Sequence, residues 1–394
     1  MPTSSQAAYS PKLFQQINVA RMTLHHRVIL APLTRFRTDA ERAPLLPMVS
    51  EYYAQRGSTP GGHNRFPGIW SAAKIAAWKK ITEAVHARGS YIYLQIWGIG
   101  RTADSGAPSG GGLDSPSDIP PSYQYTPPTP RALTIGEIKE NFRLFAKAAS
   151  NAVHLAGFDG VEIHSANGVL LDRFLQDVTN ERTDEYGGGP ANRARLGLEI
   201  LGAVAKEIGA DRMGIRISPW GRYQGMGMAD PKPTYTYFVS QMKERWPNMA
   251  YLHVTEPRVD SGAELGPDGV DGKERDDESI PAEEENDFLR RIWSPRPFIT
   301  AGGYTRELAI KAAERGDIVA VGRHFLANPD LPLRWKDDLP SNAYDRSTFY
   351  VMGDGTGKGY TDYPFLDGTT PTPWPITTLT SLGKVAEAPS DSPC

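Results

Sequence analysis

Short apolar runs and longer stretches of helical spacing alternate along most of this chain. "RVILAPLT" (27–34) and "YIYLQIW" (91–97) read as strands. So do "DGVEIH", "RMGIRIS", "AYLHVTE", "PFITAGG" and "IVAVGR", which end near 164, 218, 256, 303 and 323. These runs are almost continuously apolar rather than alternating, as a parallel sheet covered on both faces requires. Between them the pattern predicts helices over 47–56, 71–89, 134–157, 191–209, 233–246, 284–293 and 305–315. Ser71 is placed to cap the second of these, Ile75, Trp78, Ile81 and Val85 form its apolar stripe, and Gly89 ends it. Thr134 and Glu137 have the spacing of a capping box. Strict alternation of strand and helix predicts an α/β fold, a (β/α)8 TIM barrel rather than a doubly wound sheet.

The count is one strand short. Between Arg56 and Ser71 stands "GSTPGGHNRFPGIW", which holds no apolar run, so the barrel is expected to lack its second strand. Two long loops interrupt the alternation. Residues 101–133 are rich in Pro, Ser and Gly, and 257–285 carry the acidic runs "DGKERDDES" and "AEEEND". Both follow strand C-termini, where barrel active sites are covered, so parts of each are expected to act as lids and the rest as surface. The whole chain, 1–394, is read as one domain with a core over about 10–365 and a tail over 366–394.

Composition narrows the functional classes. A net charge of −3 gives no basic surplus for nucleic acid or an anionic membrane. Cys394 is the only cysteine, which excludes internal disulfides and cysteine-based metal sites; no metal site is expected. There is no charged N-terminal segment followed by an apolar run, and no stretch as long as a membrane span. The expectation is a soluble, cytoplasmic protein, monomer or homodimer, that acts on a small molecule.

Polar residues gather at the predicted strand ends: Thr34, Gln95, His164, Asn167, Arg216, Arg323 and the pair Gly302–Gly303. In a barrel these converge on one face. Any one of them alone fits a capped strand end or a surface charge; six strand ends together do not. Gly302 and Gly303 close the seventh strand of a full barrel, and Gly322 and Arg323 the eighth, where barrels commonly hold phosphate. Glycine lets backbone N–H groups approach the anion, and arginine offers a forked donor pair. "GIGRTA" (98–103) fits a dinucleotide-binding pattern, but "DSGAPSGGG" follows it instead of a helix, so it is set aside. His25 and His26 precede a strand at the opposite end and are read as surface residues.

These residues carry a resemblance. The segments "APLTRFR" (31–37), "EYYAQR" (51–56), "PGIWS" (67–71), "QIWGIGR" (95–101), "GFDGVEIHSANG" (157–168), "RTDEYGG" (182–188), "NRARLGLEI" (192–200), "RISP" (216–219), "AGGY" (301–304), "VGRHFLANPDLP" (321–332) and "YDRSTFY" (344–350) stand in order along the chain. Over roughly 10–365 the chain resembles the old yellow enzyme family of flavin-dependent ene-reductases, of fungal type. The resemblance implies an FMN-containing barrel that takes electrons from NAD(P)H and reduces the C=C bond of an α,β-unsaturated carbonyl compound. It places Pro32 and Thr34 against the flavin ring, Gln95 at the pyrimidine edge and Arg216 beside N1 and O2. Gly303 and Arg323, with Gly302 and Gly322, would hold the phosphate, and Phe349 would pack near the ring. His164 and Asn167 would donate to the substrate carbonyl oxygen, with Trp97, Val169 and Tyr350 lining the substrate pocket.

Two departures from the family pattern bear on function. The family usually has tyrosine, the proton donor to the α-carbon, where Val169 stands. The missing second strand normally supplies backbone contacts near the flavin, and the chain resumes at "GGHNRFPGIWS" as an in-frame loss would leave it. The alternatives are therefore a flavin-dependent isomerase or oxidase-like variant in secondary metabolism, and a flavin-free non-catalytic remnant.

Overall fold

The structure, a computed structural model, describes residues 10–56, 67–98, 114–118, 130–259, 281 and 284–366. Seven parallel strands form its sheet: β1 (Val28–Leu30), β2 (Tyr93–Ile96), β3 (Gly160–Ser165), β4 (Met213–Ile217), β5 (Tyr251–Thr255), β6 (Phe298–Ala301) and β7 (Ile318–Val321). Their order is β1-β7-β6-β5-β4-β3-β2. The first strand thus lies beside the last, as in a closed barrel, with Val28, Ile29 and Leu30 opposite Val319, Ala320 and Val321. Among the described residues β1 and β2 are the two ends of the order, and the curled sheet does not close between them. This is where the second strand was expected to be missing. Residues 57–66, which bridge that point in the chain, lie outside the described residues.

The helices fall where the apolar period placed them, to within a few residues. They are α1 (Met48–Arg56), α2 (Ala72–His86), α3 (Ile135–Ser150), α4 (Leu170–Leu175), α5 (Pro190–Ile208), α6 (Lys232–Arg245), α7 (Asp287–Trp293), α8 (Arg306–Glu314), α9 (Arg323–Ala327) and α10 (Leu331–Lys336). Ser71 accepts from the Lys74 N–H at the start of α2, and both halves of the Thr134–Glu137 capping box form at α3. The long helix predicted to 157 ends as an α-helix at Ser150 and continues as a π-helical turn over Asn151–Leu155. The short helices α4, α9 and α10 went unpredicted, because five or six residues carry too little of the period to register.

Two apolar layers hold the sheet. Outside, Leu94, Ile96, Val161, Ile163, Ile215, Ile217, Leu252, Val254 and Val319 face the helices. Inside, Tyr93, Tyr251, Ile299, Ile318 and Ala320 pack with Val19 and Met22. The last two come from an antiparallel hairpin, Ile17–Val19 with Met22–Leu24, that plugs the N-terminal end of the sheet. Gly160 and Gly214 admit the inner tyrosines: a Cβ on Gly214 would lie 2.3 Å from the Tyr251 ring, and one on Gly160 2.4 Å from that of Tyr93. Below this plug His25 is exposed, as expected. His26 is not a surface residue: it is half-buried, its Nδ1 accepts from the Val28 N–H at 3.3 Å, and burial lowers its pKa to about 4.

Helices α1 and α2 pack against each other at the open side of the sheet, and a small cavity lined by Leu33, Val49, Tyr53, Trp78 and Tyr360 remains there. The chain after Tyr344 is tied over the same side. Arg35, buried, donates to the carbonyls of Phe349 (3.1 Å) and Gly359 (2.7 Å), and Tyr360 stacks on Tyr52 with ring centroids 4.0 Å apart.

The described parts of the two long loops are docked rather than loose. Asp114–Ser115 pairs in parallel with Arg131–Ala132, and Arg182 donates to the carbonyls of Pro116 and Leu133. In the second loop Glu284 pairs with Arg222 at 2.9 Å. The remainder of both loops, the "GIGRTA" segment beyond Gly98 and the tail from 367 lie outside the described residues.

Candidate active site

A polar layer lies above the inner tyrosines, toward the C-terminal ends of β2–β5. Register explains it. Gln95 is opposite Glu162, His164 is opposite Arg216, and Arg216 is opposite His253, so all five side chains point to the inner face. Gln95 Nε2 donates to Glu162 Oε1 at 2.6 Å. His253 Nδ1 is 2.9 Å from Glu162 Oε2. Burial alone would raise the pKa of Glu162, but His253, the Arg216 guanidinium and the Gln95 amide together hold it down at about 2. The carboxylate is therefore charged, and it accepts a hydrogen bond from Nδ1–H of a neutral His253, whose pKa burial lowers.

Arg216 is half-buried, and its Nε is enclosed without a hydrogen-bond partner. His164 is buried, its Nδ1 is likewise unpartnered, and burial with the Arg216 charge lowers its pKa to about 3. A neutral imidazole and an arginine thus face the same interior with unspent hydrogen-bonding capacity. Trp97 meets His164 edge to face, the ring centroids 5.5 Å apart.

Asn167 follows β3 in a left-handed conformation (φ +56°), and so does Gly168 (φ +75°). A buried network fixes this turn. The Asn167 N–H donates to Ser218 Oγ at 2.8 Å, and the Gly168 N–H to Asp172 Oδ2 at 2.8 Å. Ser218 Oγ donates to Asp172 Oδ2 (3.4 Å) and the Tyr235 hydroxyl to Asp172 Oδ1 (2.9 Å). Asp172 is fully buried, which raises its pKa to about 6 against these donors. Val169 is buried at the N-cap of α4, with no side-chain cap.

The other arc of the sheet carries the remaining predicted residues. Pro32 and Thr34, half-buried, follow β1. Gly302 (φ +137°) and Gly303 (φ +53°) follow β6. A Cβ at Gly302 would meet Val259 Cγ2 at 2.7 Å, so this turn admits only glycine. Gly322 caps α9, and Arg323 opens it, with its guanidinium over the Tyr344 ring at 5.6 Å. Tyr344 touches Phe349 (5.8 Å), and Phe349 touches Tyr350 (6.2 Å), so ring contacts link Arg323 to both predicted aromatics. Phe349 is buried; Tyr350 is 53% exposed and packs on Phe36.

Sequence reasoning missed Glu162, His253, Ser218 and Asp172. Glu162 was open to detection. In "GVEIH" the two-residue period puts Glu162 on the same face as His164, and a charge inside a buried strand calls for a partner. Asp172 had no such signal, since only the packing of α4 buries it.

The family model of the NADH:flavin oxidoreductase / NADH oxidase family matches residues 12–342. The chain is 45% identical to the chanoclavine-I aldehyde reductase fgaOx3 of Penicillium roqueforti over 375 residues, covering 90% of this chain and 96% of the relative. It is 42% identical to the NADP-dependent oxidoreductase lnbE of Aspergillus flavus, with 90% and 97% covered. The old yellow enzyme homologue of Zymomonas mobilis superposes with a TM-score of 0.78 at 35% identity, covering 90% of this chain and 100% of that one. On sequence and fold together, this chain belongs to the NADH:flavin oxidoreductase / NADH oxidase family, the FMN-using old yellow enzymes.

Proposed function

We propose that the chain is an FMN-dependent oxidoreductase that takes hydride from NAD(P)H and reduces the C=C bond of an α,β-unsaturated carbonyl compound. The unspent polar groups of the inner wall carry this reading. The pyrimidine edge of a flavin presents an N–H donor between two carbonyl acceptors. Gln95 has committed its amide nitrogen to Glu162, which leaves its carbonyl oxygen to accept; Arg216 offers the donor and the positive charge. These groups fit the ring, and the glycine turn at 302–303 with Arg323 suits a phosphate. When bound, FMN would relay hydride between the two substrates.

The rest falls to the chain's own residues. His164 and Asn167 would donate to the substrate carbonyl oxygen. As hydride reaches the β-carbon, negative charge collects on that oxygen, and two preplaced donors stabilise it as an oxyanion hole does. The Ser218–Asp172 network holds the Asn167 turn for this task. Trp97 would fix one wall through His164, and Tyr350 would border the mouth. Among the described residues no helix is long and apolar enough to cross a membrane.

Incubating the flavin-loaded protein anaerobically with NADPH and a simple enone, then weighing the product, tests the reading. Reduction adds two hydrogens; an unchanged mass with a moved double bond would mean isomerisation. Val169 favours the second reading, since it is buried where a proton donor is expected and has no proton to give. The phosphate assignment has its own test. A charge-assisted contact is worth about 1.5–3 kcal/mol, so Arg323→Ala should weaken FMN binding by roughly 10- to 100-fold. An unchanged Kd in a fluorescence titration would overturn it.

A further inference from the structure

Glu162 has no role in the reaction as derived above, yet it is a charged carboxylate, 5% exposed, in the middle of the site. Its contacts are specific. One oxygen takes the Gln95 amide at 2.6 Å and the other faces His253 Nδ1 at 2.9 Å. A carboxylate can only accept, so the Gln95 atom turned to it must be nitrogen. The amide of Gln95 cannot rotate without setting two acceptors against each other. Its free end is therefore fixed as a carbonyl oxygen.

We infer that Glu162 is a positioning residue that locks the Gln95 amide, so that the inner wall reads an imide N–H and rejects an acceptor or an alkylated nitrogen at that point. The inference rests on the flavin reading for the identity of the ligand, the pyrimidine edge, but the lock itself is a property of the chain. His253 supports it from the other side: buried, 1% exposed, it donates a hydrogen bond from Nδ1–H to Glu162, so the carboxylate is held at both oxygens and cannot swing away from Gln95. Arg216, in register between His164 and His253, balances the carboxylate charge and is balanced by it.

A second consequence concerns the flavin potential. With Glu162 ionised, the positive charge that Arg216 offers to a reduced, anionic flavin is partly offset. Removing the carboxylate charge leaves that offer undiminished.

The test compares FMN with its 3-methyl derivative, which lacks the N–H. Wild-type apoprotein should prefer FMN by about 10- to 100-fold, the cost of leaving the fixed carbonyl facing a methyl group. Glu162→Gln keeps the shape but can donate or accept, so the Gln95 amide can turn. Discrimination should then fall to within about threefold, and the midpoint potential of bound FMN should become more positive. Unchanged discrimination and potential in Glu162→Gln would overturn the inference. Should that variant not fold, the wild-type chain still decides. In its nitrogen–proton correlation spectrum the Gln95 side-chain amide, identified by its loss in Gln95→Leu, should show one proton shifted far downfield and protected from exchange. An ordinary, rapidly exchanging pair would refute the lock. Wild-type protein that binds neither flavin yet shows the protected amide would leave the lock standing and remove the flavin reading instead.

Discussion

A family-like strand of about 15 residues, inserted between Gly61 and Gly62, is expected to raise the thermal midpoint by on the order of 10 °C and to raise the flavin content of the purified protein. The estimate follows from the sheet order. It ends at β1 on one side and β2 on the other, and a parallel strand seated between them would form a ladder with each. About four bonds per side at about 1 kcal/mol each give roughly 8 kcal/mol. The entropy of unfolding scales with length, so at this size each kcal/mol is worth about 1–2 °C. Closing the barrel also removes two sheet edges, which proteins otherwise take care to cover. Flavin content enters because β1 leads directly into Pro32 and Thr34, which the family resemblance would set against the ring, and a closed sheet would hold that segment more firmly. Calorimetry and the ratio of flavin to protein absorbance measure the two effects. If the chain as it stands is already fully loaded and as stable as the repaired one, α1 and α2, which meet at the open side, have made good the loss.

The fold was largely legible because its signal is periodic. Continuous apolar runs mark strands buried on both faces, and each strand of the sheet lies on one of them. The seven-strand count and the place of the gap came from the same pattern. At the site, the residues at strand ends were legible because a parallel barrel sends every strand end to one side. Gln95, His164 and Arg216 duly stand in neighbouring registers. What stayed hidden was how these residues are held. The period of "GVEIH" turns Glu162 inward but does not name Gln95, 67 residues away, as its partner, and Asp172 fixes the Asn167 turn from a helix too short to predict. His26 was misplaced for a related reason. Two adjacent histidines in "LHHRV" read as surface, but the hairpin plug and the start of β1 fold over the second. Contacts made by tertiary packing leave no mark on local spacing.

Val169→Tyr is expected to speed oxidation of the reduced enzyme by cyclohexenone by about 10²–10⁴-fold, the usual worth of a positioned general acid. After hydride reaches the β-carbon, the α-carbon needs a proton, and the family's donor position here holds a buried valine. The position is well built for a donor. Residue 169 follows the turn that Ser218 and Asp172 fix, and it begins α4, so a tyrosine there would project from a held backbone. The added volume is the main obstacle. The site is packed, with Val169 buried, and extra atoms in such a site cost about 1–3 kcal/mol. Reduction of the flavin by NAD(P)H needs no such proton, so that half-reaction should be the same in both proteins. Reoxidation by oxygen or a quinone should also be unaffected. Stopped-flow measurement of both half-reactions, in protein shown to hold FMN, separates these steps. Brisk enone turnover in the wild-type chain with no gain from tyrosine would mean that water or Tyr350, 53% exposed, already supplies the proton. Slow enone turnover in the wild type, rescued by tyrosine, would mean that the absent acid at position 169 limits the enone half-reaction.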